Sequence, residues 1–200
     1  MMRTTGTNTE KKTLLFGGSF DPVHKGHLYI IEKACELTDY ERIIIMPAYK
    51  SNFKRGTKPA SAAERYEMLS IALADLVLPR DAEIILSSYE IDKKGISYTY
   101  DTVRHVYDEY ALKGKLGFLM GNDLLHDLER WYNYEVLREL VTFVCFTRDR
   151  DSLTYPGDAD IIFYDVPPYK ASSTDVREGD FSELTTDVRR YIEEHGLYNS

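Results

Sequence analysis

Leu14-Leu15-Phe16-Gly17-Gly18-Ser19-Phe20-Asp21-Pro22-Val23-His24-Lys25-Gly26-His27-Leu28 decides how the rest of the chain is read. The apolar run from Thr13 to Phe16 has the composition of a buried strand, and two glycines stop it. Asp21-Pro22 then turns the chain, because proline fixes its own φ and pushes the preceding residue out of the helical region. Beyond it the spacing is helical: Leu28, Ile31 and Cys35 share a face, with Ile30, Ala34 and Leu37 beside them. Strand, glycine turn and helix start mark the junction where open α/β sheets bind anions, since helix N-terminal amides and the helix dipole both point there. Lacking Cβ atoms, Gly17 and Gly18 are expected to take unusual dihedrals and to let a phosphate or nucleoside approach the backbone. His24 and His27, on either side of Gly26, can aim imidazole nitrogens at one point and donate to phosphate oxygens whose charge grows during phosphoryl transfer. On the residues alone two other readings stay open, a zinc-chelating pair and a plain helix cap.

Length and composition narrow the classes. Two hundred residues, 43% of them hydrophobic, suit one domain with a sizeable core. We expect a single domain over residues 13–200 behind a loose polar tail, residues 1–12, which lacks the apolar core of a signal peptide. No apolar run approaches the roughly 18 residues of a membrane span, so no membrane partner is expected. Cys35 and Cys145 fall in apolar patterns without CxxC spacing and read as reduced core residues of a cytoplasmic protein. A net charge of −8 argues against a nucleic-acid surface, with Lys50, Lys54, Arg55 and Lys58 as a local exception. No GxGxxG or GxxxxGK[ST] string follows a strand, which disfavours classical dehydrogenases and P-loop NTPases.

Further along, strands are expected at Arg42 to Met46, Glu83 to Leu86, Leu116 to Met120, Val141 to Thr147 and Ile161 to Tyr164. Residues 47 to 60 read as a long basic loop at the sheet's C-terminal edge. Ser61 to Glu64 spells a capping box for a helix with Met68, Leu69, Ala72 and Leu76 inward. Ser97 to Thr102 opens another helix, with Val103, Val106, Tyr107 and Tyr110 on one face; Ser172 to Arg177 begins a short one; Val188, Tyr191 and Ile192 mark the last, stopped at His195-Gly196. Alternation of strands and helices predicts an α/β fold with a doubly wound parallel sheet, whose strand order spacing cannot give.

Ser172-Ser173-Thr174-Asp175-Val176-Arg177 places three hydroxyls at a helix start and a guanidinium one turn on, chemistry that suits phosphate oxygens. Alone it reads more readily as an N-cap run with a surface arginine. The acid-bearing His126-Asp127 and the Arg148-Asp149-Arg150-Asp151 run read as a chance metal dipeptide and a solvated loop.

Gly17 to His27 resembles the GGTFDPxHxGH signature of the HxGH nucleotidyltransferase superfamily, with Ser19 for the usual Thr, and Ser172 to Arg177 resembles its ISSTxxR signature, with Ala171 for Ile. Ser97 to Val103, Phe118 to Asp123 and Glu129 to Tyr132 are similar to the SYTxDT, FxxGxD and KWY segments of bacterial nicotinate mononucleotide adenylyltransferases. The resemblance runs from about Thr13 to Tyr198. It implies a Rossmann-like sheet with C-terminal helices and adenylyl transfer from ATP to nicotinate mononucleotide, a step of NAD biosynthesis. It further implies Mg²⁺ carried by the triphosphate, no metal held by protein side chains, and possible homo-oligomers. His24, His27 and Arg177 are then expected to be catalytic. Gly17, Gly18, Ser19, Phe20, Gly121, Asp123, Ser172 and Ser173 would bind the nucleotide. Lys54, Thr99, Asp123, Trp131 and Tyr132 would meet the acceptor, the tryptophan face stacking on the cationic pyridine ring. One departure stands out: the family's PPHK is replaced by Ser51-Asn52-Phe53-Lys54, which keeps the lysine and loses a histidine donor. Nicotinamide mononucleotide or phosphopantetheine as acceptor, a non-catalytic nucleotide sensor and a metal-dependent hydrolase are the competing readings.

Overall fold

The computed structural model describes residues 11–50, 59–147 and 153–198. Six strands form one sheet: β1 (Thr13–Gly18), β2 (Arg42–Pro47), β3 (Glu83–Leu86), β4 (Leu116–Met120), β5 (Val141–Phe146) and β6 (Ile161–Tyr164). Their order is β3-β2-β1-β4-β5-β6 and every pairing is parallel. The expected doubly wound sheet is therefore what forms, and its strand order places β1 beside β4. Leu14 pairs with Ile43 on one side and with Gly117 on the other. Between β1 and β4 the connections reverse direction, which opens a crevice at the strands' C-terminal ends.

Alternation along β1 explains why the sheet is covered on both faces. Leu14 and Phe16 join one core with Ile31, Ile43, Ile45, Met68, Leu69, Val188 and Ile192, under helices α1 (Lys25–Leu37), α2 (Ala62–Ala74) and α7 (Thr186–Glu194). Leu15 joins the other with Ile44, Val103, Val106, Phe118, Leu137 and Phe143, under α4 (Thr99–Tyr110) and α5 (Tyr134–Leu140). Cys35 and Cys145 are buried, unpaired thiols, one in each core. The capping box at Ser61 and Glu64 is present, with both reciprocal bonds formed.

Some expectations shift. Leu37 is 40% exposed, and Leu76 lies beyond the end of α2, half-buried against the first core. Periodicity missed the one-turn helix α3 (Tyr89–Lys93), the seven-residue α5 and the 3-10 helix Asn122–Arg130 after β4. The first two are too short to show a 3.6-residue period, and the third has a period of three. Helix α6 (Ser173–Arg177) and the stop after α7, where Gly196 has φ 60°, fall as expected.

Candidate active site

The turn after β1 leaves the sheet beside β4, at the reversal point. Neither Gly17 nor Gly18 has a positive φ; the left-handed residue is Phe20, at φ 47°. This corrects the expected source of the unusual backbone. Gly18 is required for a different reason, since a Cβ there would stand 3.1 Å from the Phe20 ring. That ring folds back beneath the turn, edge-on to Phe16 at 5.3 Å and to His27 at 5.0 Å, and is buried. Gly17 stays exposed and uncluttered, a surface that a ligand can approach.

His24 is the N-cap of α1 and stacks on His27 with ring centroids 3.8 Å apart. Gly26 makes room for this pair, because a Cβ would come within 3.0 Å of the His24 ring and 3.2 Å of the Ala171 methyl. The His24 backbone N–H donates to His27 Nδ1 at 3.2 Å. The helix-cap reading is thus correct for one nitrogen of one ring, and it has a consequence: with Nδ1 accepting, the proton of a neutral His27 sits on Nε2, which becomes the donor. Burial lowers the His24 pKa to about 4 against an opposing pull from Glu183, and burial with the neighbouring His24 charge lowers His27 well below its ordinary value. At neutral pH the pair offers uncharged donors. One helix amide is already spent, since Lys25 N–H donates to the Glu183 carbonyl at 2.9 Å. Among the described residues no group of three His, Cys, Asp or Glu side chains could hold a metal ion.

The second motif arrives from the far end of the chain. Arg177 Nη1 donates to the Asp21 carbonyl at 2.5 Å, and Ser173 Oγ donates to the Pro22 carbonyl at 2.9 Å. Arg177 Nη2 also reaches Thr174 Oγ1 at 2.9 Å, and Ser172 Oγ caps the Thr174 amide at 3.1 Å. Ser172, Ser173 and Arg177 are therefore brought to the turn, with the Ser173 hydroxyl proton committed to the chain itself.

On the other flank, Gly121 and Asp123 follow β4, and Asp123 folds its carboxylate so closely over Gly121 that a Cβ there would collide with it. Thr99 begins α4, next to Tyr98, whose ring meets Tyr132 at 4.8 Å; Tyr100 meets the same ring edge-on at 5.9 Å. Trp131 is half-buried, edge-to-face on Phe118 at 5.7 Å and on Phe143 at 6.3 Å. So Thr99 and Tyr132 are brought together, with Trp131 anchored beside them. Lys54 and the rest of Ser51 to Lys54 lie outside the described residues, as does the Arg148 to Asp151 run.

Three residues given no site role on sequence also converge here. Arg65 of α2, 1% exposed, donates to the carbonyls of Ser19 at 2.6 Å, Tyr49 at 2.7 Å and Ala60 at 3.4 Å. The Asp21 carboxylate accepts from the Tyr198 hydroxyl at 2.6 Å and from the Ala60 amide at 3.2 Å. A signal for Arg65 existed: it falls on the same helical face as Met68, Leu69 and Ala72, and a charge on an apolar face needs partners.

The two motifs thus meet at one turn, at the reversal point of a six-stranded parallel sheet. The chain belongs to the cytidylyltransferase-like family, whose model matches residues 15–179. Its curated relatives narrow this to the nicotinate-nucleotide adenylyltransferases. It is 32% identical over 196 residues to the nicotinate-nucleotide adenylyltransferase of Bacillus subtilis, covering 95% of this chain and 100% of that one. Over 164 residues it is 37% identical to a protein of Hydrogenobaculum sp. named "Probable nicotinate-nucleotide adenylyltransferase", covering 82% of each. In fold it matches Plasmodium falciparum nicotinic acid mononucleotide adenylyltransferase complexed with NaAD, with TM-score 0.74 at 20% identity over 94% of this chain and 97% of that one. The same enzyme complexed with APC gives 0.75 at 19% identity over the same shares.

Proposed function

We propose that the protein transfers the adenylyl group of ATP to nicotinate mononucleotide, forming nicotinate adenine dinucleotide and pyrophosphate. The observation that carries this is the convergence of the two motifs: Arg177 and Ser173 bond the main chain of Asp21 and Pro22, beside the stacked histidines. An oxygen of the acceptor phosphate attacks the α-phosphorus in line, and the bond from that phosphorus to the β-bridging oxygen breaks. The acceptor is already ionised, so no side chain need act as base, and catalysis consists of alignment and charge stabilisation. His27 Nε2–H and His24 donate to the α-phosphate and the bridging oxygen. Arg177, with the Ser172 hydroxyl and the Ser173 backbone amide, holds the leaving pyrophosphate, and the backbone from Gly17 through Gly18 and Ser19 to Phe20 cradles the rest.

Asp123, over Gly121, contacts a ribose or the acceptor. The pyridine ring stacks on Trp131, and the backbone amides of Thr99 and Tyr132 take its carboxylate. Lys54 meets the acceptor phosphate. The donor set here is imidazole, guanidinium, hydroxyl and amide, which fits phosphate oxygens, so Mg²⁺ is read as arriving on the triphosphate, where it neutralises charge. Small molecules are the partners in this reading, in a cytoplasmic setting. Among the described residues no helix is long and apolar enough to cross a membrane.

The test is pyrophosphate release from ATP and Mg²⁺ with nicotinate mononucleotide, its amide and phosphopantetheine compared side by side. Fastest release with the acid form is expected. A preference for either other acceptor would overturn the assignment of substrate, and silence with all three the assignment of activity.

A further inference from the structure

The turn from Ser19 to Pro22 makes hydrogen bonds with three distant parts of the chain. The Ser19 carbonyl is held by Arg65 from α2, and the Asp21 and Pro22 carbonyls by Arg177 and Ser173 from α6. The Asp21 carboxylate is held by Tyr198, 177 residues on, and by the amide of Ala60. Arg65, Asp21 and Tyr198 are 1%, 2% and 7% exposed, so none of the three side chains lies open to a ligand. Burying a guanidinium and a carboxylate is costly unless they are hydrogen-bonded. Arg65 bonds the carbonyls of the turn and its neighbours through all three nitrogens, and Asp21 is held through Oδ1 while its buried Oδ2 accepts no bond among the described residues. Burial, with the hydrogen bond to Asp21, pushes the Tyr198 phenol far above its ordinary range, so it stays a donor.

Peptide planarity gives this arrangement a consequence. In a trans peptide the C=O and the following N–H point in opposite directions. Fixing the Ser19 carbonyl on buried Arg65 turns the Phe20 amide away from the protein interior on that side. Fixing the Pro22 carbonyl on Ser173 does the same for the amide of Val23. Phe20, whose positive φ is a region that a bulky residue disfavours, lies between the fixed carbonyls of Ser19 and Asp21.

We propose that Arg65, Asp21 and Tyr198 are positioning residues for ATP: they touch no substrate, and they hold the Ser19–Pro22 turn so that its amides face the triphosphate. This inference rests on the phosphate-cradle reading above. Tyr198→Phe is the cleaner variant, because it removes one oxygen, keeps the ring and disturbs only Asp21. Arg65→Lys is the harsher one, because a single ammonium cannot reach three carbonyls fixed in a fork.

The experiment is equilibrium binding of a non-hydrolysable ATP analogue with Mg²⁺, without acceptor, alongside the KM for nicotinate mononucleotide and the thermal midpoint. Tyr198→Phe should weaken the analogue roughly three- to tenfold, the scale of one hydrogen bond, while the acceptor KM stays within about twofold. Arg65→Lys should weaken it by more than about tenfold. A lowered thermal midpoint with unchanged analogue affinity, or equal losses toward both substrates, would show a purely structural role and overturn the proposal. Where Arg65→Lys does not fold, Tyr198→Phe decides alone. A wild-type protein that binds the analogue but transfers to no acceptor would overturn the adenylyl-transfer reading and leave this test intact. One that does not bind the analogue overturns both.

Discussion

At the phosphate end of the site, the carbonyls of Ser19, Asp21 and Pro22 are each held by a side chain from elsewhere in the chain. At the acceptor end the groups are aromatic faces: Tyr98 and Tyr132 are 46% and 51% exposed, and Trp131 is held by ring contacts to Phe118 and Phe143. In the proposed reaction the difference follows from what each end would recognise. Phosphate oxygens carry charge that grows in the transition state, and donors fixed in advance lose no reorganisation energy when it does. A pyridinium ring is flat and cationic, and is served by the area and the electron-rich faces of aromatic side chains. A half-exposed aromatic surface supplies these and leaves the ligand to complete the desolvation.

The largest expected effect falls on the preorganised end. His27→Ala removes the Nε2 donor and should cost on the order of 10²–10³ in kcat, the scale of one charge-stabilising donor, with a smaller change in either KM. Single-turnover kinetics with saturating ATP would measure it. A near-normal rate would mean that the stacked pair is only the cap of α1, and the contrast between the two ends would collapse.

Acid sharpens the same contrast. His24 has a folded pKa of about 4 against 6.5 for the unfolded chain, chiefly because it is buried. Above pH 6.5 both states are neutral and the stability is intact. As pH falls from 6.5 toward 4 the unfolded chain takes up a proton that the folded chain refuses, so stability drops by up to about 3 kcal/mol and then levels. His27, depressed in the same direction, adds to the loss. Between pH 7.5 and 4.5 the urea midpoint of the wild type should fall more steeply than that of His24→Gln, which lacks this titrating group. Parallel curves would mean that His24 is not the group responsible.

Much of the phosphate end was legible because its chemistry is packed into eleven residues, Gly17 to His27, where spacing alone aligns strand, turn and helix. Even there one inference misplaced its cause: the glycines suggested the strained backbone, but Phe20 carries it, and Gly18 serves to admit the Phe20 ring. The clamps were not legible. Tyr198 meets Asp21 across 177 residues, and no local pattern encodes a contact at that distance. Arg65 was readable in principle, as a charge on the inner face of α2. The acceptor end was legible only through resemblance, because Thr99, Trp131 and Tyr132 lie in two segments that nothing in their spacing connects. Strand order is likewise a tertiary result, since each strand is locally alike and β1 sits beside β4 only once both faces are covered.

At the acceptor end the expected effect is moderate and confined to one substrate. Trp131→Ala should raise the KM for nicotinate mononucleotide roughly five- to thirtyfold, the range for losing one aromatic or cation–π partner. Affinity for the ATP analogue should not change. Because the indole also packs on Phe118 and Phe143, Trp131→Phe belongs beside it as the variant that keeps an aromatic face. If both variants weaken ATP as much as the acceptor, the two ends are not separable.

Ser173→Ala probes the seam between α6 and the turn, and its expected effect is the smallest. The hydroxyl donates to the Pro22 carbonyl, so its proton is not available to phosphate without breaking that bond. Losing one neutral hydrogen bond costs about 1 kcal/mol, which at most loosens α6 against the turn. ATP KM should rise no more than about fivefold, and acceptor KM should not move. Ser172→Ala removes the cap on Thr174 and should destabilise by a similar ~1 kcal/mol through the helix instead. If Ser173→Ala instead lowered turnover a hundredfold, the hydroxyl would have to leave Pro22 for the triphosphate during the reaction. The phosphate end would then be rebuilt by its ligand, and preorganisation would no longer separate the two.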